Sequence, residues 1–71
     1  MKTREFVHPE YYAIPAYMIL ARKSPEDCAE HLNMSVRTYK EKIKGYYDFT
    51  AEQGRRLAIY LNRTQEELFL I

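Results

Sequence analysis

Residues 24–45 carry the start and stop signals of two short helices separated by a tight turn. Ser24 is a good helix N-cap, a proline follows at the first helical position, and Asp27 stands three residues after the cap, as in a capping box. Asn33 and Gly45 are residue types that adopt the left-handed conformation in which many helices end. The segment therefore predicts helices at 24–32 and 35–44.

The same signals recur later in the chain and predict an all-α domain. Thr50 and Thr64 are each followed three residues later by a glutamine or glutamate, and Asn62 supplies another stop. No strand pattern or repeat stands out, and 71 residues suffice for one domain with one small core. We expect a compact five-helix domain over residues 13–71 after a short N-terminal arm over residues 1–12. The predicted helices are 15–22, 24–32, 35–44, 50–61 and 64–70.

Composition narrows the class of function. A chain of 71 residues has little room for a cofactor cleft, and no acid–base pair or glycine-rich phosphate loop is visible. His8 and His31 lack the spacing of metal ligands. No apolar run is long enough for a membrane span or a secretion signal, and Cys28 has no partner for an internal disulfide. We expect a cytoplasmic binding module, not an enzyme, without a metal or a cofactor.

Acidic and basic residues are segregated between the two helices of this segment, although the net charge of the chain is only +1. The helix predicted at 35–44 has one acid, Glu41, among its cations, whereas the preceding helix has acids and no Lys or Arg. Thr38 stands three residues after the cap Ser35, so no acid compensates the positive end of this helix dipole from its own first turn. This pattern favours contact with phosphate. The cations are Arg37, Lys40, Lys42 and Lys44, and the acids are Glu26, Asp27 and Glu30.

Three groups of residues stand in the order and spacing of a known family. They are Ser24, Glu26, Asp27, Ala29, Asn33, Met34 and Ser35, then Gly45, and finally Leu57, Ala58, Leu61, Asn62, Glu67, Leu68 and Phe69. Over about residues 14–70 the chain resembles the Cro/CI-type helix-turn-helix family, the lambda-repressor-like DNA-binding domains. The resemblance implies that the first helix of the motif lies across the DNA backbone and that the second reaches base edges.

Core residues follow from the same placement. The small Ala29 would lie where the two helices of the motif cross, and Gly54, inside the helix at 50–61, predicts that another helix passes close to it. The core beneath the motif would contain Cys28, Leu32, Met34, Tyr39 and Ile43.

The resemblance also implies a set of DNA-contacting residues on and after the second helix of the motif. Val36 would touch a thymine methyl group, and Arg37 would bond to guanine N7 and O6. Glu41 would accept from cytosine N4 or repel a phosphate, whereas Lys40 and Lys44 would contact phosphates and carry no sequence information. The full predicted set is Ser35, Val36, Arg37, Thr38, Lys40, Glu41, Lys44, Tyr46 and Tyr47.

The chain has more aromatic and apolar residues than a five-helix core of this size should hide. Tyrosine tolerates half-burial, which is one explanation, but exposed aromatic patches favour a partner, and the family typically binds two half-sites as a dimer. We therefore expect a homodimer. The surplus residues are Phe6, Tyr11, Tyr12, Tyr17, Tyr60 and Phe69, joined at the C-terminus by Leu68, Leu70 and Ile71.

These features predict a small transcriptional regulator that binds double-stranded DNA sequence-specifically, a repressor of the phage, mobile-element or antitoxin type. The alternative is a protein-interaction module on the same fold, an antirepressor or toxin-neutralising partner, with DNA binding lost. Pro25 favours the alternative because it has no backbone donor where the family often has a phosphate-binding glutamine. The low net charge also favours it, whereas the sorted cations favour DNA binding.

Overall fold

The structure, a computed structural model, describes residues 5–70 as five α-helices, with no strand among those residues. The all-α, five-helix prediction is confirmed. Residues 1–4 of the predicted arm and Ile71 lie outside the described residues. The helices are α1 (Ala13–Ala21), α2 (Pro25–His31), α3 (Val36–Lys44), α4 (Ala51–Leu61) and α5 (Gln65–Leu68).

Four of these helices begin at the hydroxyl caps that the sequence predicts. Ser24, Thr50 and Thr64 each accept from the backbone N–H three residues later and form complete capping boxes. Ser35 accepts from the N–H of Thr38 at 3.1 Å, without an acid to close the box. Each cap satisfies a donor that has no partner within its helix, which fixes where the helix starts.

The helix ends follow the predicted stops at three positions. Asn33 and Asn62 have φ values of 57° and 56°, and Gly45 has a φ of 114°. A fourth residue with positive φ, Arg22, ends α1 at φ 57° and lets the N–H of Lys23 donate to the carbonyl of Met18 at 2.9 Å.

Two helix boundaries differ from the prediction by two residues, and the other boundaries differ by one residue at most. α1 begins at residue 13 instead of 15, because Pro15 lies in the first turn, where backbone N–H groups have no helical acceptor and proline is tolerated. α5 ends at Leu68, two residues before the predicted end, and Phe69 is its C-cap.

One hydrophobic core connects the helices. The largest fully buried side chains belong to Ile14, Cys28, Tyr39, Leu57 and Leu68. Of the residues predicted beneath the motif, Cys28, Leu32, Tyr39 and Ile43 are buried, whereas Met34 is half-buried at the edge of the core.

Both small residues noted in the sequence, Ala29 of α2 and Gly54 of α4, are buried. Gly54 lies beside Gln65 and Phe69 at α5, so another helix passes close to it, as predicted. A Cβ atom on Gly54 would stand 3.1 Å from the ring of Phe69. Glycine therefore lets the chain after α5 pack directly on the backbone of α4.

Residues 5–12, called the docked segment below, pack against the C-terminal end of α3. The N–H of Val7 donates to the carbonyl of Gly45 at 2.6 Å, and the N–H of Tyr11 donates to that of Ile43 at 2.9 Å. His8 Nε2 lies 2.8 Å from the carbonyl oxygen of Tyr47. A Cβ atom on Gly45 would collide with the carbonyl oxygen of His8, so this contact requires glycine.

Two residues expected at a self-association surface are instead core residues. Tyr11 is 7% exposed, its ring packs against those of Phe49 and Phe69, and its hydroxyl donates to Asp48 at 2.8 Å. Burial and this hydrogen bond raise the pKa of Tyr11 to about 12. Leu68 is fully buried, so it cannot contribute to an outer surface. Both expectations were wrong because neither residue's long-range neighbours can be identified from local sequence.

Candidate nucleic-acid interface

α3 presents a polar face outward because its opposite side is anchored in the core by Tyr39 and Ile43. At about 100° per residue, positions 36, 37, 40, 41 and 44 then share the outward side. A groove on this side is lined by Val36, Arg37, Lys40, Glu41, Lys44 and Tyr46. The structure thus brings six of the predicted site residues to one surface, whereas Ser35, Thr38 and Tyr47 lie outside its lining.

Arg37 and Glu41 form an ion pair one helical turn apart. Arg37 Nε lies 3.8 Å from Glu41 Oε2, and the two side chains are 84% and 15% exposed. The exposed member is therefore the guanidinium, and a group that approaches α3 meets Arg37 before the carboxylate. The pair also favours an Arg37 side chain that runs along the helix.

Lys42 does not belong to the outward face. Its Nζ donates to the carbonyl oxygen of Asp48 at 2.7 Å and lies 5.9 Å from the centre of the Phe49 ring. The ammonium group thus helps to fix the loop between α3 and α4. Of the four cations noted in the sequence, Arg37, Lys40 and Lys44 line the groove.

The N-terminal end of α3 lacks an acid in its own first turn, as the sequence predicts. Ser35 Oγ accepts from the N–H of Thr38 and donates to its hydroxyl at 2.9 Å, so both hydroxyls are engaged in the cap. A neighbouring groove is lined by Ser35 together with Glu26 and Glu30 of α2. These carboxylates oppose an anion at that end, whereas Lys40 and Lys44 lie farther along α3.

Val36 is half-buried at the start of the face. Its side chain packs against the hydrophobic core and lines both grooves, that of α3 and that between α2 and α3. An apolar group of this size can contact a thymine methyl, as the resemblance implies, only through the part that remains exposed.

The residues after α3 are held by the docked segment. The Tyr46 ring stacks on that of Phe6, with ring centres 4.7 Å apart and an interplanar angle of 15°. Tyr47 is 52% exposed, and its carbonyl oxygen faces His8. Sequence reasoning missed Phe6 and His8 as supports of this loop, because nothing in their local pattern identifies the residues that they contact.

Other chemistry-bearing residues have structural roles. The ring of His31 stacks on that of Tyr60 at 4.1 Å, and Cys28 is buried, which raises the pKa of its thiol. Among residues 5–70 no three His, Cys, Asp or Glu side chains come together as metal ligands. No helix within that range is long and apolar enough to cross a membrane.

Comparison with known proteins assigns the fold. No protein-family model matches the sequence, and no curated protein matches it either. A solution structure of the SOS-response transcriptional repressor LexA from Eubacterium rectale matches with a TM-score of 0.68 and 21% sequence identity. The match covers 80% of this chain and 61% of that one.

The fold is a helix-turn-helix fold. In this chain the motif consists of α2, the turn around Asn33 and α3. The chain spans 61% of the length of the LexA structure, and the likeness is one of fold.

Proposed function

We propose that this chain binds double-stranded DNA sequence-specifically, as a Cro/CI-type transcriptional regulator, with α3 in the major groove. The observation that carries the proposal is the groove along α3, where Arg37, Lys40 and Lys44 share one outward face of a helix anchored in the core. The structural likeness to a transcriptional repressor supports it.

Within this proposal the residues of the face have different tasks. Arg37, the most exposed member of the ion pair, reads a guanine, and the uncovered part of Val36 contacts a thymine methyl. Lys40 and Lys44 bind phosphates and set the position of α3 on the duplex. The hydroxyls of Tyr46 and Tyr47, which follow α3, donate to the DNA backbone. The hydroxyls of Ser35 and Thr38 lie near the DNA at the N-terminal end of α3.

The regulatory role that we propose is repression by occupancy, in which the bound protein blocks polymerase. We place the protein in the cytoplasm as a homodimeric repressor of the phage, mobile-element or antitoxin type, acting without a cofactor. Two half-sites about one DNA turn apart would then double the phosphate contacts of a chain whose net charge is only +1.

Binding assays over a range of salt concentrations test the proposal. Wild type should select a defined sequence from a random duplex pool and should also bind random DNA weakly at low salt. The variant K40A/K44A should lower the slope of log K against log salt by about 2 per protomer, since each lost phosphate contact contributes about 0.9.

The matched control is R55A/R56A on α4, which removes the same charge outside the groove, from residues that pair with Glu52. It should leave the salt slope unchanged. An equal decrease of the salt slope in both double variants would mean that net charge alone drives binding. No binding by wild type at low salt would contradict the proposal and favour the protein-interaction alternative.

A further inference from the structure

α1 is apolar on every side. Its nine residues, Ala13–Ala21, include no charged side chain, and the only polar atom among their side chains is the tyrosine hydroxyl of Tyr17. Ile14 and Met18 face the core. The opposite side, called the α1 stripe below, consists of Tyr12, Pro15, Ala16, Ile19 and Leu20, all of them exposed.

An uncovered apolar helix face of this kind is unusual on a small domain. Ile19 is 77% exposed, Tyr12 73% and Leu20 68%. The spacing of the stripe, i, i+3, i+4, i+7 and i+8, is that of a helix face that packs against another element. A contiguous apolar patch on the surface is typical of an interaction site, because its burial against a partner is favourable.

We propose that the α1 stripe is the self-association surface of this protein, where the α1 helices of two copies pack antiparallel about a twofold axis. The inference deepens the proposed function, since it names the partner surface of the proposed homodimer. In a twofold interface each copy contributes the same patch, and an uncharged stripe meets its own copy without like-charge repulsion.

The charges at the two ends of the stripe select the antiparallel arrangement. Glu10 precedes the stripe and lines one groove with Tyr12 and Lys44. At the other end the exposed Arg22 follows α1 directly, and Lys23 and Arg63 line the groove beside Leu20. Antiparallel packing brings Glu10 of one copy toward Arg22 of the other and places the two helix dipoles in a favourable antiparallel arrangement. Parallel packing would instead bring the cations of the two C-terminal ends together.

The surface around the stripe can receive the partner's side chains. At its C-terminal end Leu20 borders a groove that Tyr17, Tyr60 and Leu61 also line. At its N-terminal end Tyr12 lines a groove with the exposed Phe6 and Val7 and with Lys44. Lys44 also lines the groove along α3, whereas none of the stripe residues does, so a dimer formed through α1 leaves the α3 face from Val36 to Glu41 open.

Sedimentation equilibrium of the full chain without DNA tests this surface, over micromolar to near-millimolar concentrations. Wild type should show a monomer–dimer equilibrium, and I19E should raise the dimer dissociation constant by about 30-fold or more. The matched control is I59E on α4, where the isoleucine is 67% exposed and lies outside the stripe. It should leave the constant within about threefold of wild type, and circular dichroism should show that both variants fold.

Charge exchange tests the antiparallel arrangement. E10R and R22E should each weaken the dimer, and the double variant E10R/R22E should restore most of the loss. A monomeric wild type, or equal effects of I19E and I59E, would overturn the proposal. These measurements are made without DNA, so their outcome is independent of the DNA-binding experiment. A monomeric protein could still bind DNA.

Discussion

At the scale of single residues, the outward face of α3 carries two kinds of cationic side chain. One kind can distinguish DNA bases, and the other can only bind the phosphates of the DNA backbone. A guanidinium offers paired donors in a fixed geometry, whereas an ammonium acts as a point charge. Arg37 is the guanidinium of this face, and its ion pair with Glu41 favours one direction of the side chain. Lys40 and Lys44 are compact charges farther along α3.

We predict that R37A relaxes sequence preference at one base pair of the site. Loss of a bidentate contact to guanine should cost about 1–3 kcal/mol on the selected sequence and much less on random DNA. K40A should instead weaken binding to both duplexes by the same factor. Competition binding with single-base variants of the selected duplex measures both effects, and an equal loss on specific and random DNA for R37A would count against its base-reading role.

Periodicity in the sequence was enough to place these residues on one side of a helix. Val36, Lys40 and Lys44 are spaced by four, and Arg37 and Glu41 form the adjacent row. The same periodicity could not show that the Glu41 side chain is largely covered or that Lys42 turns toward Asp48. Both features depend on contacts with residues outside the helix.

At the scale of helices, the caps make each element begin at a fixed residue. Asp27 and Glu67 accept from the backbone N–H groups of Ser24 and Thr64, at 2.9 and 3.0 Å. These hydrogen bonds lower the pKa of both carboxyl groups below their ordinary values. The folded protein therefore holds their protons less tightly than the unfolded chain does.

The sign of the pH dependence follows from this difference. A carboxyl group with a lowered pKa in the fold adds stability above its unfolded pKa, near 4, and that stability is lost as the pH falls through the folded pKa. We predict that the free energy of unfolding in urea declines from about pH 5 downward and that D27N/E67Q flattens this decline. E30Q, which removes an exposed carboxylate of α2 outside the cap, should keep the wild-type slope. An unchanged slope in the double variant would contradict the prediction.

The end of α3 gives a second prediction at this scale. G45A should lower the free energy of unfolding by about 2 kcal/mol or more, because alanine is strained at a φ of 114° and its Cβ would collide with His8. G54A should cost less, since the neighbour there is the ring of the half-buried Phe69, and alanine gains about 1 kcal/mol in a helix interior. Urea unfolding measures the free energy of unfolding of both variants. An equal decrease in the two would show that the contact with His8 is unimportant.

Local signals predicted most helix boundaries because caps and stops act through neighbours only a few residues away. Ser24, Asn33, Thr50 and Asn62 lie where these rules place them. Arg22 shows the opposite case, since arginine carries no local preference for positive φ and adopts it where α1 ends.

At the scale of the whole molecule, the docked segment joins the core to the element that carries the candidate site. Its backbone pairs with the carbonyls at the end of α3, and Phe6 stacks on Tyr46 of the α3 groove. None of these contacts is local, so the sequence alone could not assign residues 5–12 a place against α3. The helices could be predicted from local rules, whereas this packing could not.

If the docked segment unfolds together with the rest of the domain, truncation of one buried side chain in this segment should lower the free energy of unfolding of the whole protein. Tyr11 is 7% exposed and contacts the loop after α3 through Asp48 and Phe49. We predict that Y11A lowers the free energy of unfolding by about 3 kcal/mol, a large part of the roughly 4–10 kcal/mol available to a domain of this length. Y11F, which removes only the hydroxyl, should cost about 1 kcal/mol.

The adjacent residue provides the control for this prediction. Tyr12 is 73% exposed, so Y12A should change the free energy of unfolding by no more than about 0.5 kcal/mol in dilute solution, where self-association is absent. Urea titrations followed by circular dichroism and by tyrosine fluorescence should coincide for each variant, because one core unfolds as a unit. A Y11A protein as stable as Y12A would mean that residues 5–12 contribute nothing to the core, and α3 would then have to hold its position without them.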